Sequence, residues 1–177
     1  MKFDLKLVTL DTGHDLEKLF EGRGGPHNCW CTVWRKNLHG NRPVTKAEKK
    51  EALYQYIKKD IPIGILAYAD DQPVGWCSVA PRDTYRSLGG DETKEKVWSL
   101  ACFFVHRSYR QQGLTLKLLE KAIETAKNNG GKYIEAYPVE VNSPSYRFMG
   151  FKPVFERLGF EFIKKAGSRR HVMVKMI

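Results

Sequence analysis

The spacing of apolar residues changes along this chain, and each change predicts a structural element. Residues 97–105 are almost continuously apolar or aromatic, which is typical of a buried strand. Beyond Gly113, apolar residues recur at helical spacing with charged residues between them: Leu118, Leu119, Ala122, Ile123 and Ala126. This pattern predicts an amphipathic helix. Asn129, Gly130 and Gly131 follow it and tolerate the left-handed backbone that ends a helix.

The remaining pattern predicts two helices followed by most of a sheet. Residues 1–7 alternate like a strand, and residues 12–20 repeat like a helix. A capping box at Thr45–Glu48 starts a second helix with Leu53, Tyr56 and Ile57 facing inward. Further strands are predicted over residues 61–69, 74–80, 133–139, 151–155 and 171–177, with a short helix within 143–149. The order is β-α-α-β-β-β-α-β-α-β-β.

Two connections complete this prediction. Residues 82–96 are polar and contain glycine, which predicts an exposed and mobile connection. The strand at 97–105, the helix after it and the strand at 133–139 predict a right-handed crossover between two parallel strands. A basic turn over 164–170 separates the last two strands.

Gly113 lies where a predicted strand turns into a helix. The first N–H groups of a helix have no partner within it, and its dipole is positive at that end, so this position suits a phosphate or pyrophosphate. The segment Arg110-Gln111-Gln112-Gly113-Leu114-Thr115 matches neither the nucleotide P-loop nor the Gly-x-Gly-x-x-Gly dinucleotide motif. An ordinary strand-to-helix turn is the alternative.

A strand, then Arg/Gln-x-x-Gly-x-small, then an amphipathic helix resembles the acetyl-CoA-binding segment of the GNAT superfamily of N-acetyltransferases. Thr115 departs from that pattern, because the family usually has Gly or Ala there, so the backbone would approach the pyrophosphate less closely. The resemblance implies that residues of this strand and loop bind the cofactor: Phe103, Phe104, Val105, Arg110, Gln111, Gln112, Gly113, Leu114 and Thr115. The strand residues would pair their backbone with the pantetheine amides.

A second segment strengthens the resemblance. In the stretch 142–151, Ser143 suits an N-cap and Gly150 suits the position after a helix. The GNAT segment after the next strand similarly has an Asn, then a Tyr four residues before Gly-Phe. The resemblance implies that Asn142 contacts the pantetheine arm and that Tyr146 is a general acid beside the thioester sulfur. A core-packing role for Tyr146 is the alternative.

Together the two segments extend the resemblance over about residues 60–177. It implies an α/β (α+β) fold of GNAT type, with a mixed central sheet of about six to seven strands flanked by helices on both faces. Residues 1–177 are predicted to form one domain.

The general base has no clear candidate. Many family members have a Glu early in the strand before the glycine loop, and Ser99 stands at that position here. Glu140, Asp83 and His106 are candidates near the predicted site. A water relay would serve equally well, so no side chain is assigned as the base.

The segment between the first two helices contains two tryptophans, Trp30 and Trp34, among glycine, proline and polar residues. By resemblance it would help to form the acceptor pocket, with these side chains as its lining. Packing in the core is the alternative. His27, Cys29 and Cys31 could ligate zinc, but their spacing lacks the usual gap and a second pair, so no metal is predicted.

Composition and charge narrow the choice of function. The 177 residues are 42% hydrophobic and contain four cysteines, which suits one globular domain without a disulfide framework. No apolar run is long enough for a membrane span and the N-terminus lacks a signal peptide, so a cytoplasmic protein without a membrane partner is expected. The net charge of +10 suits a polyanion such as coenzyme A. Nucleic acid is not favoured, because the Lys-rich stretch 46–51 is interleaved with Glu.

These observations predict an N-acetyltransferase that uses acetyl-CoA and no metal. The acetyl group would pass to a primary amine by direct attack in a ternary complex, with a small molecule favoured over a protein as acceptor. The alternative is a non-catalytic acyl-CoA-binding or nucleic-acid-binding module, and a homodimer is compatible with either. A basic lining of the acceptor pocket would favour an acidic partner, and an acidic lining a polyamine or aminoglycoside.

Overall fold

The computed structural model describes residues 2–177. Its strands are β1 (Asp4–Leu7), β2 (Ile65–Ala69), β3 (Gln72–Pro81), β4 (Val97–Val105), β5 (Tyr133–Ala136), β6 (Glu161–Ala166) and β7 (Arg170–Met176). Its helices are α1 (Gly13–Glu21), α2 (Lys46–Lys58), α3 (Leu114–Asn128) and α4 (Lys152–Arg157). The strands form one seven-stranded sheet in the order β1-β2-β3-β4-β5-β7-β6. Only the β4–β5 pair is parallel.

Helices cover both faces of this sheet. The apolar stripe predicted for α3 is buried on one face, where Leu118 and Ala122 pack with Phe155 of α4. On the other face, Leu16 of α1 and Leu53 of α2 belong to a separate buried cluster. The predicted mixed sheet with helices on both faces is therefore confirmed. None of the helices described in residues 2–177 has the length and apolar character needed to cross a bilayer.

The predicted start of α2 is confirmed in detail. The Thr45 hydroxyl accepts a hydrogen bond from the Glu48 N–H at 3.2 Å, and the Glu48 carboxylate accepts one from the Thr45 N–H at 2.8 Å. These two bonds satisfy backbone donors that the helix itself leaves free. The local sequence alone encodes this helix start.

The predictions for residues 143–155 are wrong. Residues 152–157 form α4 instead of a strand, with a proline in the first turn, and the strand that pairs with β7 is β6. The helix expected within 143–149 is reduced to a single 3₁₀ turn, Arg147–Met149. Ser143 uses its hydroxyl to donate to the Ser145 carbonyl, and Tyr146 has a left-handed backbone with φ +58°. That conformation interrupts a right-handed helix.

The predicted exposure of residues 82–96 is also wrong in part. Two residues of this connection, Tyr85 and Leu88, are buried. The Arg82 guanidinium donates to the carbonyls of Asp91 and Lys94, both at 2.6 Å. The connection therefore covers one face of the sheet instead of projecting from it.

The β4 and β5 strands separate part-way along the sheet. They pair only between Val97–Leu100 and Tyr133–Ala136, so β5 is shorter than predicted. Beyond Leu100, β4 continues to Val105 while paired with β3 alone. The chain after Ala136 instead turns toward α4, where Val139 pairs with Phe151. The second edge of β4 is thereby left open between residue 101 and Val105.

Candidate active site

The loop between β4 and α3 has an unusual backbone. Gln111 and Gly113 both adopt positive φ angles, +60° and +75°. Glycine is favoured at the second position because a side chain is strained in that conformation. A Cβ at Gly113 would meet nothing within 4 Å, so the space beside it is open. The loop therefore places α3 with its N-terminus facing open space.

The N–H groups in this loop lack partners. Within residues 2–177, no backbone N–H of residues 111–116 donates a hydrogen bond, and α3 has no side-chain cap. The side chains of Arg110 and Gln112 donate to the loop's own carbonyls, those of Val105 and Ser108, at 3.0 and 3.1 Å. A row of free N–H groups at the positive end of a 15-residue helix fits a diphosphate.

The open edge of β4 lies beside this loop. Phe103 is buried against Phe155, whereas Phe104 and Val105 are half-buried. A Cβ placed on Gly150 would be 3.6 Å from the Phe103 ring, so the segment 142–150 lies next to this edge. Asn142 in that segment is exposed and makes no hydrogen bond within the described residues. The end of this segment at Gly150 and the open edge of β4 therefore border one gap.

Tyr146 and Trp34, which are distant in sequence, come together through a residue that the sequence did not single out. The Arg170 guanidinium carbon lies 4.7 Å from the centre of the Trp34 ring and 5.4 Å from that of Tyr146. Tyr146 is 38% exposed. The only sequence signal for Arg170 was its place in a basic turn, which by itself indicates a solvated loop.

The two tryptophans of the segment between α1 and α2 have different environments. Trp30 is completely buried and its ring makes an edge contact with Phe20 at 5.3 Å between centres. It packs in the core, which was the alternative left open. Trp34 is half-buried beside Arg170. Positive φ angles at Trp30 and Cys31 turn the chain between these positions.

The cysteines in this region do not converge with other metal ligands. The Cys31 sulfur lies 3.3 Å from that of Cys102 and accepts the Trp76 indole N–H at 3.2 Å. The contact with Cys102 raises the pKa of the Cys31 thiol well above its usual value, which favours the neutral form. Within residues 2–177, no three His, Cys, Asp or Glu side chains are arranged to hold a metal ion.

A buried chain of hydrogen bonds runs through Ser99, the position where the family commonly has Glu. Ser99 Oγ lies 2.9 Å from Tyr137 Oη, and Tyr137 donates its proton to Glu135 Oε1 at 2.6 Å. Because the Tyr137 hydroxyl donates its only proton to Glu135, the Ser99 hydroxyl is the donor in its hydrogen bond with Tyr137. Burial raises the pKa of Tyr137 well above its usual value. Glu135 is directly opposite Ser99 in the β4–β5 register.

Glu135 is a charged residue that sequence reasoning missed. It is completely buried, and its second carboxylate oxygen accepts the Asp91 N–H at 2.8 Å with Arg82 at 3.8 Å. The available signal was an acidic residue inside the apolar strand β5. In the structure this carboxylate fastens the 82–96 connection to the sheet.

The other candidate bases have partners or lie at the surface. Glu140 pairs with His171 at 3.1 Å and with Lys152 at 3.9 Å. His106 contacts the Arg23 carbonyl at 3.2 Å. Asp83 is exposed at the edge of a cavity of about 430 Å³ that Tyr137 also lines. The geometry does not distinguish one of these side chains as a base.

A family model described as the acetyltransferase (GNAT) family matches residues 29–160. The chain belongs to this family. The matched range includes the loop around Gly113, the open edge of β4 and Tyr146, so the GNAT resemblance seen in the sequence is confirmed. No match was found among curated proteins.

Solved structures of GNAT proteins share the fold over nearly the whole chain. PaiA N-acetyltransferase from Thermoplasma acidophilum, solved with coenzyme A, is 15% identical with a TM-score of 0.62 and full coverage of both chains. Aminoglycoside acetyltransferase AAC(6')-Ib, also with coenzyme A, is 21% identical with a TM-score of 0.62, covering 99% of this chain and 95% of that one. YncA from Salmonella typhimurium, solved with acetyl-CoA, is 16% identical with a TM-score of 0.61, covering 98% and 93%.

Proposed function

We propose that this GNAT protein is an N-acetyltransferase that moves an acetyl group from acetyl-CoA to a primary amine of a small molecule. The observation that carries this proposal is the row of unpartnered N–H groups at residues 111–116 beside the open edge of β4. Solved structures of the same fold contain coenzyme A or acetyl-CoA, which supports the same ligand here. Four free thiols also favour a reducing compartment, and we include a cytoplasmic location in the proposal.

The chain would hold the cosubstrate mainly through its backbone. The N–H groups from Gln111 to Thr115 would bind the diphosphate, and Arg110 would contribute positive charge at the loop. The free edge of β4 at residues 103–105 would pair with the pantetheine amides as an added strand does. Asn142, exposed in the segment that reaches this gap at Gly150, would supply a side-chain amide to the same arm.

Catalysis in this site would rest largely on positioning. When bound, acetyl-CoA supplies an acyl group already activated as a thioester. A β4 backbone N–H in the gap would polarise the thioester oxygen. Orientation of the amine beside the thioester would supply much of the remaining acceleration, because a neutral amine is a good nucleophile. Direct transfer in a ternary complex is proposed because the open edge of β4 lies next to the segment that contains Tyr146.

Tyr146 is the proposed general acid. Its ring is partly exposed and lies in the segment that borders the gap, so its hydroxyl can donate a proton to the departing sulfur. No side chain is assigned as the base: the Ser99 hydroxyl is not a useful base at neutral pH, and Glu135 is sealed from solvent. A water relay accepts the amine proton in this proposal.

A non-catalytic acyl-CoA-binding module is the second candidate, because Ser99 replaces the common Glu. Release of free thiol from acetyl-CoA, followed across a panel of primary amines, separates the two. We expect amine-dependent thiol release together with a mass-verified acetylated product. Tight coenzyme A binding with no thiol release for any amine would support the binding module.

Two substitutions at Gly113 connect that assay to the proposed loop. Gly113→Asp adds a negative charge beside the diphosphate, whereas Gly113→Asn adds nearly the same volume and strain without charge. We expect the Asp variant to bind coenzyme A at least about tenfold more weakly than the Asn variant by calorimetry. Equal affinities would remove the loop from the binding site.

A further inference from the structure

Arg170 is a half-buried cation without an anionic partner. Its Nη1 donates to the Leu88 carbonyl at 3.0 Å, and its other nitrogens donate no hydrogen bond within the described residues. No carboxylate of residues 2–177 lies within 4.0 Å of this guanidinium. Burial lowers its pKa, as expected for a charge removed from water without a counter-ion. A cation in this state favours an added anion.

Two aromatic rings hold this guanidinium in place. Its carbon lies within cation–π distance of the centres of the Trp34 and Tyr146 rings, at 4.7 and 5.4 Å. Only Nη1 of the guanidinium donates a hydrogen bond within the described residues, so its other N–H donors are available for a carboxylate or phosphate. A pre-positioned guanidinium loses less conformational entropy when it binds such a group.

Two further arginines and an indole N–H near Arg170 also lack an anionic partner within the described residues. Arg169 donates to the Ser145 hydroxyl at 2.7 Å, and Arg86 donates to the Val33 carbonyl at 3.2 Å. Neither has a carboxylate within 4.0 Å in the described part of the chain. The buried indole N–H of Trp34 also lacks an acceptor there.

The adjoining cavity of about 430 Å³ includes Leu88, whose carbonyl Arg170 binds. Its charged lining is mixed: Asp83 and Glu92 carry negative charge, and Lys36, Arg82 and Arg86 carry positive charge. A polycationic acceptor such as a polyamine needs several unopposed carboxylates. This lining does not supply them.

We infer that the acceptor is a compact amine that carries a carboxylate or phosphate, and that Arg170 binds this anionic group. The inference rests on the proposed function and names its class of acceptor. Tyr146 is the proposed acid at the thioester sulfur, and Arg170 lies against its ring. Because this guanidinium lies 5.4 Å from the centre of the Tyr146 ring, we expect the anionic group and the reacting amine to be close together in one small acceptor.

Matched acceptors with and without the anionic group test this inference. L-alanine is compared with L-alaninamide, phosphoethanolamine with ethanolamine, and spermidine represents a polycation. We expect the wild-type protein to favour the anionic member of at least one pair by about tenfold or more in kcat/KM, because hydrogen bonds to charged groups are the stronger class. The pair that shows the preference distinguishes carboxylate from phosphate.

Substitutions at Arg170 assign the preference to this residue. Arg170→Met should raise the KM of the anionic acceptor about tenfold or more, with little change for its neutral partner. Arg170→Lys keeps the charge but loses the planar group. Its KM for the anionic acceptor should therefore lie between those of the wild type and Arg170→Met. Arg157→Met is the control for net charge. Arg157 is exposed on α4, which packs with α3 on the face of the sheet away from Arg170.

Coenzyme A affinity and thermal unfolding show whether each variant remains folded. Calorimetric binding of each acceptor in the presence of coenzyme A gives a readout that is independent of turnover. Anion-selective binding that depends on Arg170, without any acetyl transfer, would refute the proposed function and keep this inference. Acetyl transfer in which Arg170→Met leaves the KM of every anionic acceptor unchanged would overturn the inference and keep the function. Absence of anion selectivity in both assays would also overturn it, leaving Arg170 as a structural cross-link.

Discussion

The proposed cofactor side and the proposed acceptor side of the site are built by different means. On the cofactor side, backbone N–H groups of residues 111–116 and the free edge of β4 face the gap, while nearby side chains bond within the loop. On the acceptor side, side chains from three distant segments meet at Arg170. The first side depends on local backbone conformation, and the second depends on the packing of the whole sheet.

This difference indicates where substitutions change specificity and where they change the fold. A backbone site tolerates many side chains provided that Gly113 keeps its positive φ. A site built from side chains changes its ligand with each substitution. We therefore expect acceptor choice to follow Trp34, Tyr146 and Arg170, while acetyl-CoA binding follows the loop.

The largest predicted effect is on turnover. Tyr146→Phe removes one hydroxyl and little volume, and general acid catalysis contributes about 100- to 10,000-fold. We expect kcat to fall within that range while coenzyme A affinity, measured by calorimetry, stays nearly constant. A fall of less than about tenfold would show that the thiolate leaves without help and that Tyr146 only positions the acceptor.

The next largest effect distinguishes the roles of the two tryptophans in the segment between α1 and α2. Trp30→Ala leaves a large cavity in the core and should cost about 3–5 kcal/mol of unfolding free energy. For a chain of this size that corresponds to a fall in Tm of about 6–20 °C by calorimetry. Trp34→Ala is the matched variant: it should raise the amine KM with a much smaller change in Tm. A large Tm loss at Trp34 with an unchanged amine KM would contradict its pocket role.

A smaller effect concerns Tyr85, the buried tyrosine of the 82–96 connection. Burial raises the pKa of Tyr85 to about 12 from an ordinary value of 10.0. The neutral phenol is therefore favoured in the folded state, so its contribution is complete below pH 10 and is lost as the pH rises through 12. This contribution is about 2–3 kcal/mol.

Urea unfolding of the wild type and of Tyr85→Phe over pH 9–12 measures this contribution. Other tyrosines and lysines titrate in the same range, so the informative quantity is the difference between the two proteins. We expect the alkaline loss of unfolding free energy to be about 2–3 kcal/mol smaller in Tyr85→Phe. Identical losses in both proteins would mean that ionisation of Tyr85 does not contribute to the alkaline loss of stability.

The sequence predicted most of the sheet and the strand–loop–helix geometry around Gly113 correctly, but not residues 143–155 or strand β6. Short apolar runs such as Phe151–Phe155 are compatible with either a strand or a helix, and tertiary contacts decide between them. Here Phe155 packs against Phe103 and Phe160, which buries one side of a single helical turn. The left-handed backbone at Tyr146 likewise has no signal in its neighbours, since glycine and asparagine are the usual residues there.

By itself, the sequence determined the features that depend on neighbouring residues. The capping box at Thr45, the glycine between β4 and α3, and the stripe of α3 all act through hydrogen bonds or spacings within a few residues. They were enough to indicate an anion-binding loop and a GNAT-like fold.

Only the tertiary structure decided the acceptor side. Trp34, Tyr146 and Arg170 meet because the sheet order places β7 beside β5, opposite the point where β4 and β5 separate. Burial, too, is a property of the assembled core, and it placed Trp30 inside while Trp34 stayed at the edge. The free energy of such contacts comes from segments that are far apart along the chain, so no local pattern of residues encodes them.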